Sequence, residues 1–420
     1  MSDWQAPDSV EAACAVLRKA EVEAPILEVL KSLKSAGFAA SLVGGAVRDI
    51  LCGRVHGDWD IATSAKPEEV IALFRRTVPT GLAHGTVTVL VGRGKPIPVE
   101  VTTFRGEGAY HDGRRPSQVY FLQDLREDLA RRDFTINACA WDPIDEVFTD
   151  PFGGLEDLRR RCIRAVGDPL ARFREDGLRT MRAVRFAAVL ECSVDDATLA
   201  AIEPSLDVFA KVARERVRTE AFKLLEAHRP SIGLRAMAAS GLWPQVFGSH
   251  TPALRESLIP FIESLPASAP LRLCGLLRAL NEVNERESVL SALKPSRSER
   301  DYVLDLAAAN LERLVSSTSP AEIRKMAAGI GRLRLDHGLL LARANAETTA
   351  RVESACAGAP LSVGELALGA KYLIQEGLAK PGPELGVLLQ HLLDAVLEEP
   401  ALNTEPSLRK WVELRRANAT

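Results

Sequence analysis

The feature that most constrains this chain is a change of apolar rhythm near residue 150. From about residue 38 to 150 it runs in short β-rich stretches, FAASLVGG, DWDIATS, TVTVLV, IPVEVTTFR and INACAWD, with helical patterns at KPEEVIALFRR and LREDLARRDF between them. After FTDPFGG (148–154) the alternation disappears, and nearly everything to the C-terminus repeats its apolar residues at the 3.6-residue period of a helix. A mixed α/β domain followed by an all-helical remainder is expected, an α+β chain. The first 35 residues read as an amphipathic helix, broken near Pro25, that packs on the α/β domain. Joints at HRPSIG near 230, SLPASAP near 267, STSP near 317 and AGAPLS near 357 divide the helical part into three segments, because Pro and Gly interrupt helices there. There is no fixed-period repeat and no low-complexity segment.

At 420 residues the chain exceeds one ordinary core. Its 46% hydrophobic and 26% charged content suits a globular protein, and no run approaches the ~18 apolar residues of a membrane span. MSDWQAPDSVEAACAV lacks a basic stretch followed by an apolar one, so no secretory signal and a cytoplasmic location are expected. The seven cysteines are odd in number and never form a CxxC pair, which argues against a disulfide framework and a zinc site. With a net charge of −3, any surface for nucleic acid must be local. Between Lys95 and Lys211 every fixed cation is an arginine, which suits bidentate recognition of phosphate or bases, although a GC-rich genome gives the same bias.

Chemistry concentrates in a few stretches. In SLVGGAVRDILCGRVHGDWDIATS (41–64) a strand ends at Gly44 and Gly45 and enters a helix, placing bare backbone N–H groups where a triphosphate can lie; a tight turn reads the same. In a strand, residues i and i+2 share a face, so Asp58 and Asp60 are expected side by side, a repulsive pair that Mg²⁺ would relieve; two exposed loop aspartates after Gly57 are the alternative. Glu100 in PVEVTTFR is a candidate third carboxylate or an ordinary solvent-facing strand residue.

In EDLARRDFTINACA (127–140), Arg131, Arg132 and Asp133 close a helix, where the cations either reach a phosphate or ribose or simply complement the helix dipole. FRGEGAYHDGRRPSQVYF (104–121) is a Gly-rich loop in which Arg114 and Arg115 either swing to a substrate or decorate a surface. If RFREDGLRTMRAVRF (172–186) is one helix, Glu175, Asp176, Arg179, Arg182 and Arg185 form a charged column, which in isolation is a salt-bridged exposed face.

Taken in order and spacing, GGAVRD, the DWD pair, FRGEGAYHDGRRP, EDLARRDFTINA, DPFGGLEDL and FREDGLRTMRAVRF resemble the class II tRNA nucleotidyltransferase and bacterial poly(A) polymerase family. RERVRTEAFKLL (214–225) and PGPELG (381–386) resemble its further neck motif and its tail, so the likeness is specific over 38–250 and looser to the C-terminus. The resemblance implies a polymerase β-like nucleotidyltransferase palm with a mixed sheet, followed by helical neck, body and tail. The corresponding segments are an N-terminal extension 1–37, head 38–150, neck 151–228, body 229–356 and RNA-binding tail 357–420. It implies a two-metal-ion mechanism in which Asp58 and Asp60 hold the Mg²⁺ ions; Glu100 stays a candidate from its strand position alone. Gly44, Gly45, Arg48, Arg131, Arg132, Asp133 and Asn137 would contact the nucleotide, Asp176 and Arg179 would read its base, and Arg182 and Arg185 would support the triphosphate or that pair. Asp112, Arg114 and Arg115 belong to the family's flexible loop.

Cytosine and adenine each present an amino donor beside a ring-nitrogen acceptor, which a carboxylate next to a guanidinium matches. Uracil and guanine present the reverse order, so such a pair accepts CTP and ATP and rejects UTP and GTP. The family's reaction is attack of an RNA 3′-hydroxyl on the α-phosphate of a nucleotide. Two features point to addition of CCA to the tRNA 3′ end: the basic flexible loop, which resembles that of complete or A-adding enzymes, and TVPTGLAHGTVTVL, which lacks the basic run usual in poly(A) polymerases. A-only addition and poly(A) synthesis are the alternatives within the family. The His-Asp pair of a further phosphohydrolase domain is absent, His111-Asp112 lying inside the loop. A non-catalytic RNA-binding homologue is the alternative from another class, and retention of both Asp58 and Asp60 argues against it. A small-molecule nucleotidyltransferase or kinase would not need the long helical tail, whose basic points such as Lys294, Arg297 and Arg300 either touch RNA phosphates or begin a solvated helix.

Overall fold

The computed structural model describes residues 4–55, 58–82, 85–92, 96–107, 119–248, 253–280 and 283–417. Two compact units form, one comprising the chain up to Glu263 together with Glu287–Lys294, the other Ser264–Arg286 and the chain from Pro295 onward. The flexible-loop residues Asp112, Arg114 and Arg115 lie outside the described residues.

The first unit opens with α1 (Val10–Arg18) and α2 (Ala24–Ser35). The expected single broken helix is thus two helices, and Pro25 sits in the first turn of α2, where its missing N–H costs nothing. Ile26, Val29, Leu30 and Leu33 form the buried face of α2, which packs on β1 (Ala40–Val43). After β1 come α3 (Gly45–Leu51), β2 (Asp60–Thr63), α4 (Pro67–Leu73), β3 (Thr77–Gly81), β4 (Thr86–Val91) and β5 (Ile97–Thr103). The ribbon β6 (Arg105–Glu107) and β7 (Val119–Phe121), α5 (Leu125–Ala130), β8 (Ala140–Asp142) and β9 (Val147–Thr149) complete the head.

The main sheet has seven strands in the order β3-β4-β5-β2-β1-β8-β9, antiparallel except where β2 runs parallel to β5. Strand β3 has no counterpart in the sequence reading. It lies at the sheet edge, where Pro79 removes no needed ladder donor, and its residues are mostly exposed, so the alternation that marks a half-buried strand is missing. INACAWD is strand only at its end, because Thr135–Asn137 form a 3₁₀ turn. Val43, Ala62, Phe104, Leu129, Ala138, Ala140 and Val166 make a buried cluster that seats α5 against the sheet.

Beyond residue 150 the first unit is helical apart from a two-residue parallel pair, β10 (Cys162–Ile163) with β11 (Ser193–Val194). It contains α6 (Gly154–Arg159), α7 (Pro169–Glu175), α8 (Leu178–Leu190), α9 (Asp196–Ala200), α10 (Leu206–Phe209), α11 (Arg214–Leu225), α12 (Pro230–Ala239), α13 (Leu242–Phe247) and α14 (Ile259–Ser264). Residues 172–186 are therefore not one helix. The chain breaks at Asp176, whose extended backbone (φ −139°, ψ 106°) ends α7 and whose carboxylate accepts the Leu178 N–H at 3.0 Å. Gly177 is needed at this break: a Cβ there would stand 2.7 Å from the Phe209 backbone nitrogen. Helix α8 packs on both α11 and α12.

The second unit is helical from α15 (Ala269–Leu277) to a C-terminal helix, Glu405–Ala417. In the helix Pro383–Glu398, Leu385, Leu389, Leu392, Leu393, Val396 and Leu397 are buried, the i, i+4, i+7, i+8 stripe that drives a helix onto its neighbours. Its last carbonyls, which lack intrahelical donors, are taken by buried Arg324, with Nε donating to Leu397 O at 2.7 Å and Nη2 to Glu398 O at 2.8 Å. Among the described residues no helix is long and apolar enough to cross a membrane.

Candidate active site

A cavity of about 550 Å³ opens in the first unit, where the end of β1, the start of β2, the turn after α5 and the α7–α8 break converge. Gly44, Gly45, Arg48, Asp60, Glu100, Arg131, Arg132, Asp133, Asn137, Asp176, Arg179, Arg182 and Arg185 all line it. Motifs spread along the sequence from Gly44 to Arg185 thus meet around one space. Asp58 does not line the cavity.

Sheet pairing fixes the acidic side. Asp60 stands opposite Val43 on β1 and Glu100 on β5, so the two carboxylates are lateral neighbours on adjacent strands. The expectation that Asp58 and Asp60 share a strand is corrected: β2 begins at Asp60, and Asp58 precedes it without a ladder partner. Crowding by the surrounding head, with Glu100 and Asp58 adding like charge, raises the Asp60 pKa against the pull of Arg132. Gly44, with φ +78°, keeps the other wall thin: a Cβ there would come within 3.1 Å of Arg132 Nη1 and 3.8 Å of Asp60 Oδ2.

The basic side is held by buried carboxylates. Asp128 is 1% exposed; it accepts from Arg131 Nε at 3.0 Å and Nη2 at 2.8 Å, and from Arg132 Nη2 at 3.4 Å. Asp133 accepts from the Phe134 N–H at 2.8 Å, from Asn137 Nδ2 at 3.0 Å and from Arg182 Nε at 2.7 Å. Burial opposes its ionisation, but the Arg182 charge, the Asn137 hydrogen bond and the Arg179 charge prevail and hold it well below the usual carboxylate range. Asn137 Oδ1 in turn accepts from Arg48 Nη1 at 2.6 Å, so a continuous polar chain runs from α3 through the 3₁₀ turn to α8.

On the helical side Phe186 gathers three guanidinium groups over its ring: Arg185 at 3.5 Å, Arg48 at 5.1 Å and Arg182 at 5.2 Å from the centroid. Arg185 also pairs with Glu220 at 2.7 Å; burial lowers its pKa, only partly offset by that partner. Arg179 donates through Nη1 to Glu175 at 2.5 Å and to Arg172 O at 3.1 Å, and through Nη2 to Arg131 O at 2.9 Å. Asp176 is gripped by Arg216 of α11 at 2.9 Å.

The sequence reading did not single out Arg216, Glu220, Asp128 or Phe186. Arg216 and Glu220 lie four apart in RERVRTEAFKLL, and Asp128 lies in EDLARRD, so each stood inside a quoted motif. Phe186 ends the run RFREDGLRTMRAVRF, where the sequence reading gives it no role, and nothing local marks its ring as a cavity wall.

Eight arginines and four carboxylates line the space, a balance suited to a polyanion. Two of the carboxylates, Asp60 and Glu100, sit together on the β2–β5 side, where a hard divalent cation finds oxygen donors. Among the described residues no three His, Cys, Asp or Glu side chains are close enough to form a complete metal cage. Magnesium commonly takes one or two carboxylates and completes its shell with substrate phosphates, so Asp60 with Asp58 and Glu100 nearby fits such an ion.

Fold and cavity together define a nucleotidyltransferase head followed by helices that complete its pocket. The family described as "Poly A polymerase head domain" matches residues 40–164, and that described as "Probable RNA and SrmB- binding site of polymerase A" matches 193–256. A CCA-adding enzyme of Lactobacillus delbrueckii subsp. bulgaricus is 37% identical over 419 residues, 95% of this chain and 99% of its own. One from Limosilactobacillus reuteri is 37% identical over 398 residues, 93% and 96% of the two chains. The chain belongs to the class II tRNA nucleotidyltransferase and poly(A) polymerase family. The crystal structure of the Bacillus stearothermophilus CCA-adding enzyme in complex with CTP superposes with a TM-score of 0.73 at 30% identity, covering 95% of this chain and 99% of that one. The Thermotoga maritima CCA-adding enzyme complexed with tRNA shares the fold, with a TM-score of 0.65 at 21% identity over 97% and 98% of the chains.

Proposed function

We propose that this protein adds the 3′-terminal CCA to tRNA from CTP and ATP, releasing pyrophosphate, without a nucleic-acid template. The observation that carries the reading is the single cavity that joins the β2–β5 carboxylates, the arginine wall and the Asp176–Arg179 pair. Full-length likeness to CCA-adding enzymes selects the product.

Asp58 and Asp60, with Glu100 as a third candidate, hold Mg²⁺, which when bound favours ionisation of the RNA 3′-hydroxyl and stabilises the departing pyrophosphate. The chain's own side chains bind and orient. Gly44 and Gly45 present no side chain, so the triphosphate lies close to the backbone; Arg48, Arg131, Arg132, Arg182 and Arg185 supply its counter-charge. Asp133 and Asn137 hold Arg48 and Arg182 in place and bring a polar edge to the ribose.

Asp176 accepts the amino group of cytosine or adenine, and the Arg179 guanidinium donates to the ring nitrogen beside it. Uracil and guanine would set a carbonyl against the carboxylate and an N–H against the guanidinium, which leaves two groups in the pocket mispaired. The tRNA 3′ end and acceptor region lie at this cavity while the helical tail, 357–420, binds further along the RNA, and the protein works in the cytoplasm. The segments 1–37, 38–150, 151–228, 229–356 and 357–420 serve as extension, head, neck, body and tail in this scheme.

The test offers the enzyme tRNAs ending at the discriminator base, at C and at CC, with each nucleotide and Mg²⁺, and sequences the products. CCA completed on all three substrates is expected. A lone A on the CC end, or a long A tail, would instead make it an A-adding enzyme or a poly(A) polymerase. Asp58→Ala and Asp60→Ala should each abolish incorporation while leaving tRNA binding; activity in both would sink the metal assignment.

A further inference from the structure

The N-terminal helices are part of the catalytic apparatus: we propose that Glu23 is a positioning residue which, through Trp59, orients the segment carrying Asp58 and Asp60. This rests on the reading of those two aspartates as the metal-holding pair.

Sheet pairing alone does not hold the pair. Asp60 opens β2 and is anchored on both sides, but Asp58 lies before the strand and is exposed. Trp59 lies between them, 5% exposed, and its indole N–H donates to the Glu23 carboxylate. Trp59 is the chain neighbour of both aspartates, so holding its indole limits how far the backbone that carries them can turn. Without that hydrogen bond the segment before β2 is free to turn, which would carry Asp58 away from Asp60.

Glu23 is itself fixed. It is the N-cap residue of α2, whose apolar face is buried against β1. Lys34, near the other end of α2, pairs with Asp142 and, at 2.6 Å, with Asp145 at the β8–β9 turn. Helix α1 packs on α3 and β9, with Arg18 paired to Glu146 at 2.6 Å. The chain before it is pinned to the helical side, where Arg161 donates to Trp4 O at 2.7 Å and stacks 4.7 Å over the Trp4 ring. The extension thus grips the head at several points, and at Glu23 it reaches the segment assigned to the metal.

The experiment uses the full chain with four variants: Glu23→Ala removes the acceptor, Glu23→Gln keeps one, Trp59→Phe keeps the ring but removes the donor, and the fourth combines Glu23→Ala with Trp59→Phe. Readouts are kcat and KM for CTP on tRNA, Mn²⁺ binding to the enzyme with a non-reactive CTP analogue by electron paramagnetic resonance, and thermal melting. Glu23→Ala and Trp59→Phe should each lower kcat and Mn²⁺ affinity about tenfold, the size of effect seen when a group supporting a metal ligand is lost. KM for CTP should stay within about twofold and melting should stay cooperative, with the double variant no worse than either single one. Glu23→Gln should recover most of the loss. Wild-type kcat and Mn²⁺ affinity in Glu23→Ala, or an equal loss in Glu23→Gln and Glu23→Ala, would overturn the proposal. If Asp58→Ala and Asp60→Ala were both active, the reading beneath it would fail; if both are dead while Glu23→Ala is unimpaired, only the positioning role fails.

Discussion

Arg216 on α11 donates to the Asp176 carboxylate at 2.9 Å, while the other oxygen of that carboxylate accepts the Leu178 N–H at 3.0 Å. The residue proposed to receive the base's amino group is therefore aimed by a helix some 40 positions away in sequence. Removing Arg216 frees the carboxylate to rotate. Arg216→Ala is expected to raise kcat/KM for UTP relative to CTP about tenfold or more, since the discrimination comes from two groups held in register. The cost in stability should stay at or below about 1 kcal/mol, because the pair is 36% and 21% exposed and screened by solvent. Competition assays on tRNA ending at the discriminator base, together with thermal melts, check both figures.

Local chemistry shows through the sequence wherever partners are close along the chain. The Gly44-Gly45 turn, the strand around Asp60 and the Arg131–Asp133 helix end could all be placed by pattern, and all three reach the cavity. Pairings across long separations could not: Asp133 with Arg182 spans 49 positions, and nothing near either residue specifies the other. The charged run at 172–186 shows a different failure. Its column at 175, 176, 179, 182 and 185 matches one helix, but Asp-Gly is also a turn pair, and the tight approach of Phe209 to Gly177 decides for the turn. What remains of the column is two short runs meeting at Asp176, which is how Asp176 and Arg179 come to face the cavity from a helix start.

The Asp133–Arg182 pair makes stability depend on pH with a definite sign. The folded pKa of Asp133 lies below its unfolded value, so its contribution is full above about pH 4, the ordinary aspartate range, and is lost as pH falls from there toward the folded value. Asp133→Asn should remove that dependence. Because Arg182 keeps about a third of its side chain open to solvent (32%), the loss at pH 7 should be about 1–3 kcal/mol rather than the larger cost of a fully buried unpaired charge. Urea unfolding of both proteins from pH 7 down to pH 3 is the measurement. Parallel curves would show that Asp133 does not carry the acid sensitivity.

Phe186 and Arg216 should fail in different ways. Leucine at 186 fills much of the same volume but has no ring face for Arg185, Arg48 and Arg182. These cations are assigned to the triphosphate, which all nucleotides share. Phe186→Leu should therefore raise KM for CTP and ATP together by about threefold to tenfold, a scale set by cation–π contacts of roughly 0.5–2 kcal/mol. The ratio of CTP to UTP incorporation should not change. A shift in that ratio would move Phe186 from phosphate binding to base selection.

Gly177 tests whether the break between α7 and α8 sets the base-reading geometry. A Cβ at this position would lie 2.7 Å from Phe209 N, 2.8 Å from Phe209 Cα and 2.8 Å from Val208 C, all of them backbone atoms that cannot swing aside. Gly177→Ala must push α8 from the α10 backbone or distort the turn that carries Asp176. Overpacking of this kind costs about 1–3 kcal/mol or more, so a lower melting temperature is expected. Either displacement also moves Asp176 relative to Arg179, so the surviving folded enzyme should incorporate UTP more readily, while the proposed metal-holding pair, Asp58 and Asp60, lies on another segment and should still support incorporation. Thermal melting and single-nucleotide incorporation, done well below the melting point, separate the two effects. A destabilised variant with wild-type CTP selectivity would show that the turn holds the fold without tuning the pocket.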